Sequence, residues 1–341
     1  MKKTQIRNSL LLLLTATIWG TAFVAQSVGM EHVEAFTFTF ARSIVGGIVL
    51  IPCIWFLRWL KRREKAASVG VVQSAGTMEP CGATPSSGVA ESQGMASRDV
   101  MYAKRPLVTK VEWTGGICCG LALCAASNFQ QIGIAYTTVG KAGFITALYV
   151  VIVPIMGLFF KKRVSFIVWI CVVLSVIGLY LLCMTEGSLT LAYGDLLVLI
   201  CAILFSVHIM VIDHFSPQGD GVVMSCIQFF VCGIVSGIIM LFVETPSVEN
   251  VMAAGMPILY AGVLSSGVAY TLQILAQKDS NPTVVTLLLS LESVFATIAG
   301  AVILQDKMSA REYLGCALML LAVVLAQLPE KAQTKEEGKA L

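Results

Sequence analysis

Ten long apolar stretches occupy most of this chain, and they constrain its fold more than any other feature. A helix needs roughly 20 apolar residues to cross the hydrocarbon core of a bilayer. The mean hydropathy is +0.84 and charged residues make up only 13% of the chain, which leaves too little polar surface for a water-soluble fold. The sequence therefore predicts an all-α integral membrane protein with ten transmembrane helices. We number them spans 1 to 10, at about 9–29, 35–57, 113–134, 142–160, 165–184, 194–213, 222–243, 253–275, 283–304 and 310–328.

The distribution of positive charge predicts which ends of the spans face the cytoplasm. With the N-terminus inside, all but four of the 23 Lys and Arg residues fall in inner loops or near the termini. The exceptions are Arg42 within span 2 and the outer Lys141, Lys307 and Arg311. This is the positive-inside bias, so we expect a multi-pass protein of the cytoplasmic (inner) membrane with both termini cytoplasmic. The basic residues do not interleave with aromatic residues in a patch, so no nucleic-acid partner is expected.

A weak internal repeat indicates that the ten spans form two units of five. Trp19 in span 1 aligns with Phe205 in span 6 at an offset of 186, and the same offset places Arg42 on Gln228. In the later part of each half, before spans 4 and 9, the offset is 142. Because five is an odd number, the two units have opposite orientations, as inverted repeats have in many secondary transporters.

The change of offset predicts about 44 extra residues in the first half. The segment 64–109 has the required length, is rich in Ala, Gly, Ser and Val, and has no sustained apolar periodicity, which is typical of a flexible loop. We therefore expect a first repeat at 1–184 with a flexible cytoplasmic insertion at 64–109. The second repeat is expected at 194–328 and a cytoplasmic tail at 329–341.

Several short segments carry a family resemblance. Span 1 contains Ile-Trp-Gly-Thr-Ala-Phe-Val at 18–24, span 2 contains Phe-Ala-Arg at 40–42, and span 4 begins within Thr-Thr-Val-Gly-Lys-Ala-Gly-Phe at 137–144 and continues to Pro154. Span 9 contains Leu-Glu-Ser-Val-Phe-Ala at 291–296. In order and spacing, these segments resemble the EamA type of the drug/metabolite transporter superfamily.

The resemblance implies a fold and an activity. It implies ten helices in two inverted five-helix units, with a central cavity lined mainly by helices 1, 3, 4, 6, 8 and 9. Members are mostly permeases for metabolites, amino acids or drugs. One departure concerns span 9, where Ser293 stands at a position that is often proline in the family. Without that proline, a kink in span 9 lacks its usual cause.

Ionisable side chains inside the spans are the sharpest functional candidates, because they are costly there unless they have a partner or line a water-filled cavity. Glu292 lies nine residues into span 9, about 13 Å deep at the helical rise per residue. It fits a carboxyl group that couples substrate movement to protons, and it also fits a structural carboxyl bonded to a nearby hydroxyl or helix end. His208, midway along span 6, is either a proton carrier or a hydrogen-bonded packing residue.

Seven further residues are candidates for binding a substrate between the spans. Arg42 could hold an anionic group, since guanidinium groups bind carboxylates with two hydrogen bonds, or it could pair with an acidic side chain. Lys141 fits a gate at the mouth of span 4 as well as simple snorkelling to the interface. The aromatic residues fit cavity walls or packing, and Tyr270 and Gln273 share a helix face because they are three residues apart. The seven are Trp19, Arg42, Gln130, Lys141, Tyr149, Tyr270 and Gln273.

Span 3 carries a polar run that includes Asn128, Gln130 and Gln131. Adjacent residues of a helix point about 100° apart, so the two glutamines cannot share a face. We expect one of them to face the cavity and the other to bind a neighbouring helix. In span 7, Gly233 and Gly237 form a GxxxG motif, which allows close approach of two helices. It favours packing within the chain, and a homodimer seam is the alternative.

Several classes of chemistry have no sequence signal. There is no phosphate-binding loop, serine-hydrolase elbow or paired-histidine zinc motif. We therefore expect that the protein binds no cofactor or metal and is not an enzyme. Every cysteine except Cys81 lies in or beside an apolar span, where cysteine acts as a small packing residue. Because the sequence has no phosphate-binding loop for ATP hydrolysis, uphill transport would depend on an ion gradient.

These observations predict a secondary transporter for a small organic solute, such as a metabolite, amino acid or drug. It would work by alternating access of a midplane cavity, with proton coupling through Glu292 and His208 as an option. Its expected partners are the substrate and the lipid bilayer. The alternative is a polytopic membrane enzyme or a lipid-handling protein, for which Asp213, His214 and Asp220 near the inner end of span 6 are the main support.

Overall fold

The computed structural model describes residues 3–75, 108–137, 139–160, 164–183, 192–303 and 309–327, and within these ranges the chain forms helices and no strand. A π-helical segment spans Tyr260–Ala269, and a short 3-10 turn spans Ser216–Gln218. The α-helices are α1 (Lys3–Met30), α2 (Ala35–Ala75), α3 (Lys110–Ile134), α4 (Val139–Ala147), α5 (Tyr149–Phe159), α6 (Phe166–Cys183), α7 (Tyr193–Phe215), α8 (Gly221–Val243), α9 (Val248–Ala253), α10 (Gly255–Leu259), α11 (Tyr270–Gln277), α12 (Pro282–Leu289), α13 (Glu292–Ile303) and α14 (Ala310–Gln327).

Eight helical segments in the described ranges are long and apolar enough to cross a membrane, and they coincide with predicted spans 1 to 4 and 6 to 9. Spans 5 and 10 correspond to α6 and α14, two helices of 18 residues that pack along each other. The apolar part of α6, Phe166–Leu181, is shorter than the eight. The eight are Thr4–Met30, Ala35–Trp59, Lys110–Ile134, Ala142–Phe159, Tyr193–Gln218, Gly221–Val243, Gly255–Gln277 and Pro282–Ala299.

The bundle exposes large apolar side chains and buries several charged and polar ones within its apolar core. Phe242 and Phe159 are 85% and 83% exposed, whereas Arg42 and Glu292 are only 4% and 3% exposed. In a water-soluble protein this distribution would be reversed, because charged side chains stay on the surface. Helices satisfy their own backbone hydrogen bonds, so such a surface is stable against lipid. The described residues therefore have the surface of a multi-pass membrane protein.

The second helix is longer than predicted. Span 2 was expected to end near residue 57 and a flexible insertion to begin at 64, but α2 continues through Ala75. The expectation of a loop is therefore wrong for 64–75. The physical reason is composition, since the Lys, Arg, Glu and Ala residues at 61–67 are strong helix formers that extend a helix beyond the membrane. The rest of the predicted insertion, up to residue 107, lies outside the described residues.

The GxxxG motif packs against another helix of the same chain. A Cβ atom on Gly233 would lie 2.8 Å from Cδ1 of Ile44, and one on Gly237 would lie 2.7 Å from Cδ2 of Phe40. Both neighbours belong to α2, so the two glycines let α8 and α2 approach closely. The motif is thus used for internal packing, as the first of the two sequence interpretations expected.

A buried amide also joins two helices. Nδ2 of Asn128 in α3 donates to the Cys124 carbonyl oxygen within the same helix and to Oγ of Ser236 in α8, both at 2.8 Å. Both Asn128 and Ser236 are buried. Interhelical hydrogen bonds of this kind stabilise membrane proteins modestly, because the separated helices find other partners in the membrane.

Replacing Asn128 with alanine should therefore lower the stability of the detergent-solubilised protein by about 1 kcal/mol. Thermal or denaturant unfolding of the purified protein measures the effect. Asn250→Ala is the matched control, because Asn250 is exposed at the end of the bundle. Equal stability of Asn128→Ala and Asn250→Ala would show that the α3–α8 hydrogen bond makes no net contribution.

Candidate functional site

A small central cavity lies among the long helices. Its volume is about 40 Å³, which is room for roughly three water molecules. Most helices contribute to its wall, and the wall carries one guanidinium group, one imidazole and one carboxyl group. The lining residues are Trp19, Ala22, Phe23, Gln26, Arg42, Gln130, Thr146, Tyr149, Phe205, His208, Ile209, Ser265, Tyr270, Gln273, Leu289 and Glu292.

The cavity brings together eight of the nine residues selected from the sequence. Lys141 is the ninth; its backbone belongs to α4, but its side chain lies outside the described residues. The eight come from predicted spans 1, 2, 3, 4, 6, 8 and 9. The family resemblance implied all of these as cavity helices except span 2. The eight are Trp19, Arg42, Gln130, Tyr149, His208, Tyr270, Gln273 and Glu292.

Glu292 lies directly after a break in predicted span 9. α12 ends at Leu289 and α13 begins at Glu292, with a turn at Ser290 and Leu291 between them. The sequence lacks the proline that is often found here in the family, so a kink was not expected, but the helix is interrupted. Oγ of Ser290 donates to the Leu287 carbonyl oxygen at 2.9 Å, and such side-chain bonds compete with the helical ladder. Ser290 therefore supplies a cause for the break, which the sequence analysis did not identify.

Tyr149 binds the carboxyl group of Glu292. Oη of Tyr149 donates to Oε1 of Glu292 at 2.9 Å, and both side chains are 3% exposed. Tyr149 is the first residue of α5, which follows a second break at Leu148. From the sequence, Glu292 fitted either a structural carboxyl bonded to a hydroxyl or a proton-coupling carboxyl in a cavity. The structure places Glu292 in both situations.

Arg42 meets a neutral partner. Its Nη1 donates to Oε1 of Gln26 at 3.3 Å, rather than to the acidic side chain that the pairing hypothesis required. Nε of Arg42 is buried without a partner in the described part of the chain. Gln26 was not selected from the sequence, although it lies seven residues, or two turns, after Trp19 and so on the same face of α1. That spacing is the signal that could have identified it.

Aromatic rings form one side of the cavity. The ring centroids of Trp19 and Tyr270 lie 4.6 Å apart, and the rings of Phe229 and His208 contact Tyr270 at 5.4 and 6.0 Å. His208 also shares a 3.2 Å hydrogen bond between Nε2 and Oε1 of Gln228. His208 is therefore a hydrogen-bonded residue that also lines the cavity.

The glutamines of α3 point in different directions, as their spacing predicts. Gln130 lines the cavity, and its Nε2 donates to Oγ1 of Thr146 at 3.4 Å. Gln131 instead donates from Nε2 to the carbonyl oxygen of Gln26 in α1 at 3.5 Å. On the far side of the cavity, Gln273 is 1% exposed and its Oε1 has no partner among the described residues. The cavity thus contains an unused acceptor as well as an unused donor.

Some lining residues gave no sequence signal. Thr146 and Ser265 carry short hydroxyl side chains in apolar segments, where they are as common in packing as in binding. Ser265 lies in the π-helical segment, and such segments are frequent at functional sites because they re-aim side chains. Sequence periodicity does not reveal a π-helical segment, so only the structure places Ser265 at the cavity.

A wider vestibule lies at the end of the bundle where α1 meets α2. Its volume is about 530 Å³, and Glu31, His32, Glu34 and Glu244 are among its lining residues. Glu244 binds the first turn of α2, accepting from the backbone N–H groups of Phe36 and Thr37 at 2.8 Å. The vestibule begins at Met30, one turn along α1 from Gln26. Gln26 and its partner Arg42 line the cavity and not the vestibule.

One of the three residues that favoured a membrane enzyme caps a helix. Oδ1 of Asp220 accepts from the backbone N–H of Val222 at 3.0 Å and so caps α8. His214 is exposed, and the backbone carbonyl of His214 accepts a hydrogen bond from Gln218 at 2.7 Å. In the ranges that the structure describes, no three His, Cys, Asp or Glu side chains come together as metal ligands.

Comparison with known proteins places this architecture in a family. A family model described as the EamA-like transporter family matches residues 7–78, 99–184 and 192–328. An uncharacterized transporter of Archaeoglobus fulgidus is 27% identical over 323 residues, which cover 93% of this chain and 84% of the relative. A solved crystal structure shares the fold with a TM-score of 0.67 at 18% identity, over 94% of this chain and 98% of the other.

Proposed function

Because this chain belongs to the EamA-like transporter family, as its motifs predicted, we propose that it is a secondary transporter for a small organic solute. The observation that carries the proposal is the central cavity, in which Arg42 and Glu292 are buried inside the bundle. Charged groups at membrane depth are expensive and mark substrate or ion pathways. The cavity is the place where the solute would bind.

The architecture we propose for transport is ten spans in two inverted five-helix units. Two observations support it. Helices α6 and α14, at the positions of spans 5 and 10, pack against each other. The breaks at Leu148 and Ser290 differ by 142 residues, the offset of the sequence repeat. Interrupted helices at corresponding positions of two repeats are a feature of transporter binding sites. The positive-inside bias supports cytoplasmic termini and a location in the cytoplasmic membrane.

The cavity has to change its size during transport. About 40 Å³ is far below the ~300 Å³ or more of ordinary small-molecule pockets. The structure therefore corresponds to a contracted state, and a solute would enter only after the helices around the cavity separate. Alternating access of this kind, with one repeat moving against the other, is the mechanism we propose.

The chemistry of the cavity defines which solutes fit. Arg42 can bind an anionic group and Glu292 a cationic one, while Trp19 and Tyr270 can contact a flat apolar portion. Nε1 of Trp19, Nε of Arg42 and Oε1 of Gln273 are buried without partners among the described residues. They are donors and an acceptor that a polar solute could satisfy. We propose Glu292, with His208 nearby, as the group that couples transport to protons.

A ligand thermal-shift screen on the purified protein tests the proposal. The panel contains organic acids, amines, amino acids, nucleosides and cationic drugs. A compound at 100 times its Kd should stabilise the protein by about 2.7 kcal/mol, and the shift should disappear in Arg42→Gln or Glu292→Gln. Lys110→Gln, at an exposed position of α3, is the control and should keep the shift. A compound that stabilises all four proteins equally would contradict the central cavity as its site.

A further inference from the structure

Two membrane helices are interrupted at matching positions. At the first break, the Leu148 N–H bonds to the Ile145 carbonyl oxygen at 3.2 Å, and the Val151 N–H bonds to the Leu148 carbonyl oxygen at 2.9 Å. At the second, the Ser293 N–H bonds to the Ser290 carbonyl oxygen at 3.3 Å. Bonds between residues three apart, as in a 3-10 helix, occur at both places. Each break is therefore a point where one half-helix can turn relative to the other.

Each break has its own local cause. Pro154 lies six residues after Leu148; it has no N–H to donate and its ring crowds the preceding turn. Ser290 at the second break uses its hydroxyl on the helix carbonyl behind it. Sharp bends of helices arise at such residues. The two breaks are therefore built into the sequence independently of each other.

One side-chain hydrogen bond joins the two breaks. Tyr149 is the first residue of α5 and Glu292 is the first residue of α13, and Tyr149 Oη donates to Glu292 Oε1 at 2.9 Å. The bond is buried between the two half-helices, in the wall of the cavity. Any movement that separates α5 from α13 has to break it.

We propose that Tyr149 is a positioning residue whose hydrogen bond to Glu292 couples the two helix breaks, so that the half-helices beyond them open together. The proposal rests on the proposed transport function and specifies how the contracted cavity widens. A carboxylate accepts a hydrogen bond about twice as strong as a neutral acceptor does. Protonation of Glu292, or binding of a cationic group to it, would therefore loosen both breaks at once.

The movement of α13 would be passed on to α1. A Cβ atom on Gly20 would lie only 2.6 Å from the carbonyl oxygen of Glu292, so α1 packs directly on the start of α13. Trp19, the neighbour of Gly20, contacts Tyr270 in the cavity wall. A change at the Tyr149–Glu292 bond thus reaches the aromatic wall of the cavity through contacts between backbones.

Other charged or titratable groups lie near Glu292. They are Tyr149 on α5, Tyr270 on α11, Cys201 and His208 on α7, and Arg42 on α2. His208 is the one whose ordinary titration range overlaps physiological pH. Its hydrogen bond goes to Gln228 and not to either break. A test of the proposal has to separate titration of His208 from titration of Glu292.

Amide hydrogen exchange of the full-length protein in lipid nanodiscs tests the coupling. Tyr149→Phe should lower the protection of both breaks, at 148–152 and at 290–295, by about tenfold, which corresponds to about 1.4 kcal/mol. Glu292→Gln should lower it less, since the amide oxygen still accepts a weaker bond, and the double variant should match Tyr149→Phe. Tyr180→Phe is the control, because Tyr180 contacts Phe144 and Arg311 outside the cavity lining.

The pH dependence provides the readout that a purely structural tyrosine would not change. Across the pD range in which the protein stays folded, protection at both breaks should change in parallel in the wild type and in His208→Gln. It should not change in Tyr149→Phe or Glu292→Gln. All rates are divided by the intrinsic chemical exchange rates at each pD.

Two results would overturn the coupling. One is a Tyr149→Phe protein in which exchange rises at 148–152 but stays unchanged at 290–295. The other is a pD dependence that vanishes in His208→Gln and persists in Glu292→Gln. Exchange is measured without any solute, so the outcome is independent of the transport proposal. Coupled breaks with no cavity ligand would defeat the proposed function alone, and a cavity ligand with uncoupled breaks would defeat this inference alone.

Discussion

Glu292→Gln should abolish proton-driven accumulation of the transported compound in proteoliposomes, with an initial rate at least about tenfold below the wild type. The compound is the one that the thermal-shift screen identifies. A glutamine keeps the size of the side chain and an acceptor for Tyr149, but it can neither bind nor release a proton. Because the side chain lines the cavity and glutamine keeps its shape, the loss would come from the site and not from misfolding. Uptake measured with and without an imposed pH gradient gives the result.

The matched control for this experiment is Glu249→Gln. Glu249 is exposed in α9 and does not line the cavity or the vestibule, so its loss removes one carboxyl group without touching the pathway. Its uptake should equal that of the wild type. If Glu292→Gln retains full pH-dependent uptake, Glu292 does not couple transport to protons. Its hydrogen bond with Tyr149 would then have a structural role only.

Gly20→Ala should destabilise the protein by about 1–3 kcal/mol, the usual cost of overpacking a tight interface. The added Cβ would lie 2.6 Å from the Glu292 carbonyl oxygen, 2.7 Å from Cβ of Phe295 and 2.8 Å from the backbone nitrogen of Ala296. All three atoms belong to or sit directly on the α13 backbone, which cannot move aside as a flexible side chain can. The helices α1 and α13 would have to separate, and thermal unfolding in detergent measures the cost.

Gly255→Ala separates this steric effect from the general effect of replacing a glycine in a helix. No atom lies within 4 Å of a Cβ added to Gly255, so that variant should be as stable as the wild type or slightly more stable. Equal unfolding temperatures for Gly20→Ala and Gly255→Ala would mean that the α1–α13 contact is looser than the structure shows.

Much of the helical layout follows from the sequence because lipid imposes a simple length rule. Span 7 was expected at 222–243 and is found as α8 at Gly221–Val243. The rule fails where a helix leaves the membrane, since hydropathy no longer limits it; α2 therefore continues to Ala75. It also overlooks breaks inside a span, because the residues around Ser290 are as apolar as those of an unbroken helix.

The candidate site could be found from the sequence to a large extent, for a related reason. Arg42, His208 and Glu292 stand out because such side chains are costly in lipid, and all three line one cavity. Their partners could not be found in this way. The spacing from Trp19 indicates that Gln26 faces the same way, but it does not indicate that Arg42 binds Gln26 rather than a carboxylate. Tyr149 was one of several aromatic residues that the sequence could not rank.

What the sequence by itself determined is the solvent of this protein, the approximate position of each helix and the short set of costly polar residues inside them. These follow from transfer free energies and from periodicity along a single helix. The tertiary structure decided which faces meet: the bond of Tyr149 to Glu292, the contact of Gly20 with α13, and the small size of the cavity. The physical reason is that periodicity specifies a face of each helix but not its neighbour, which depends on the close packing of all the helices together.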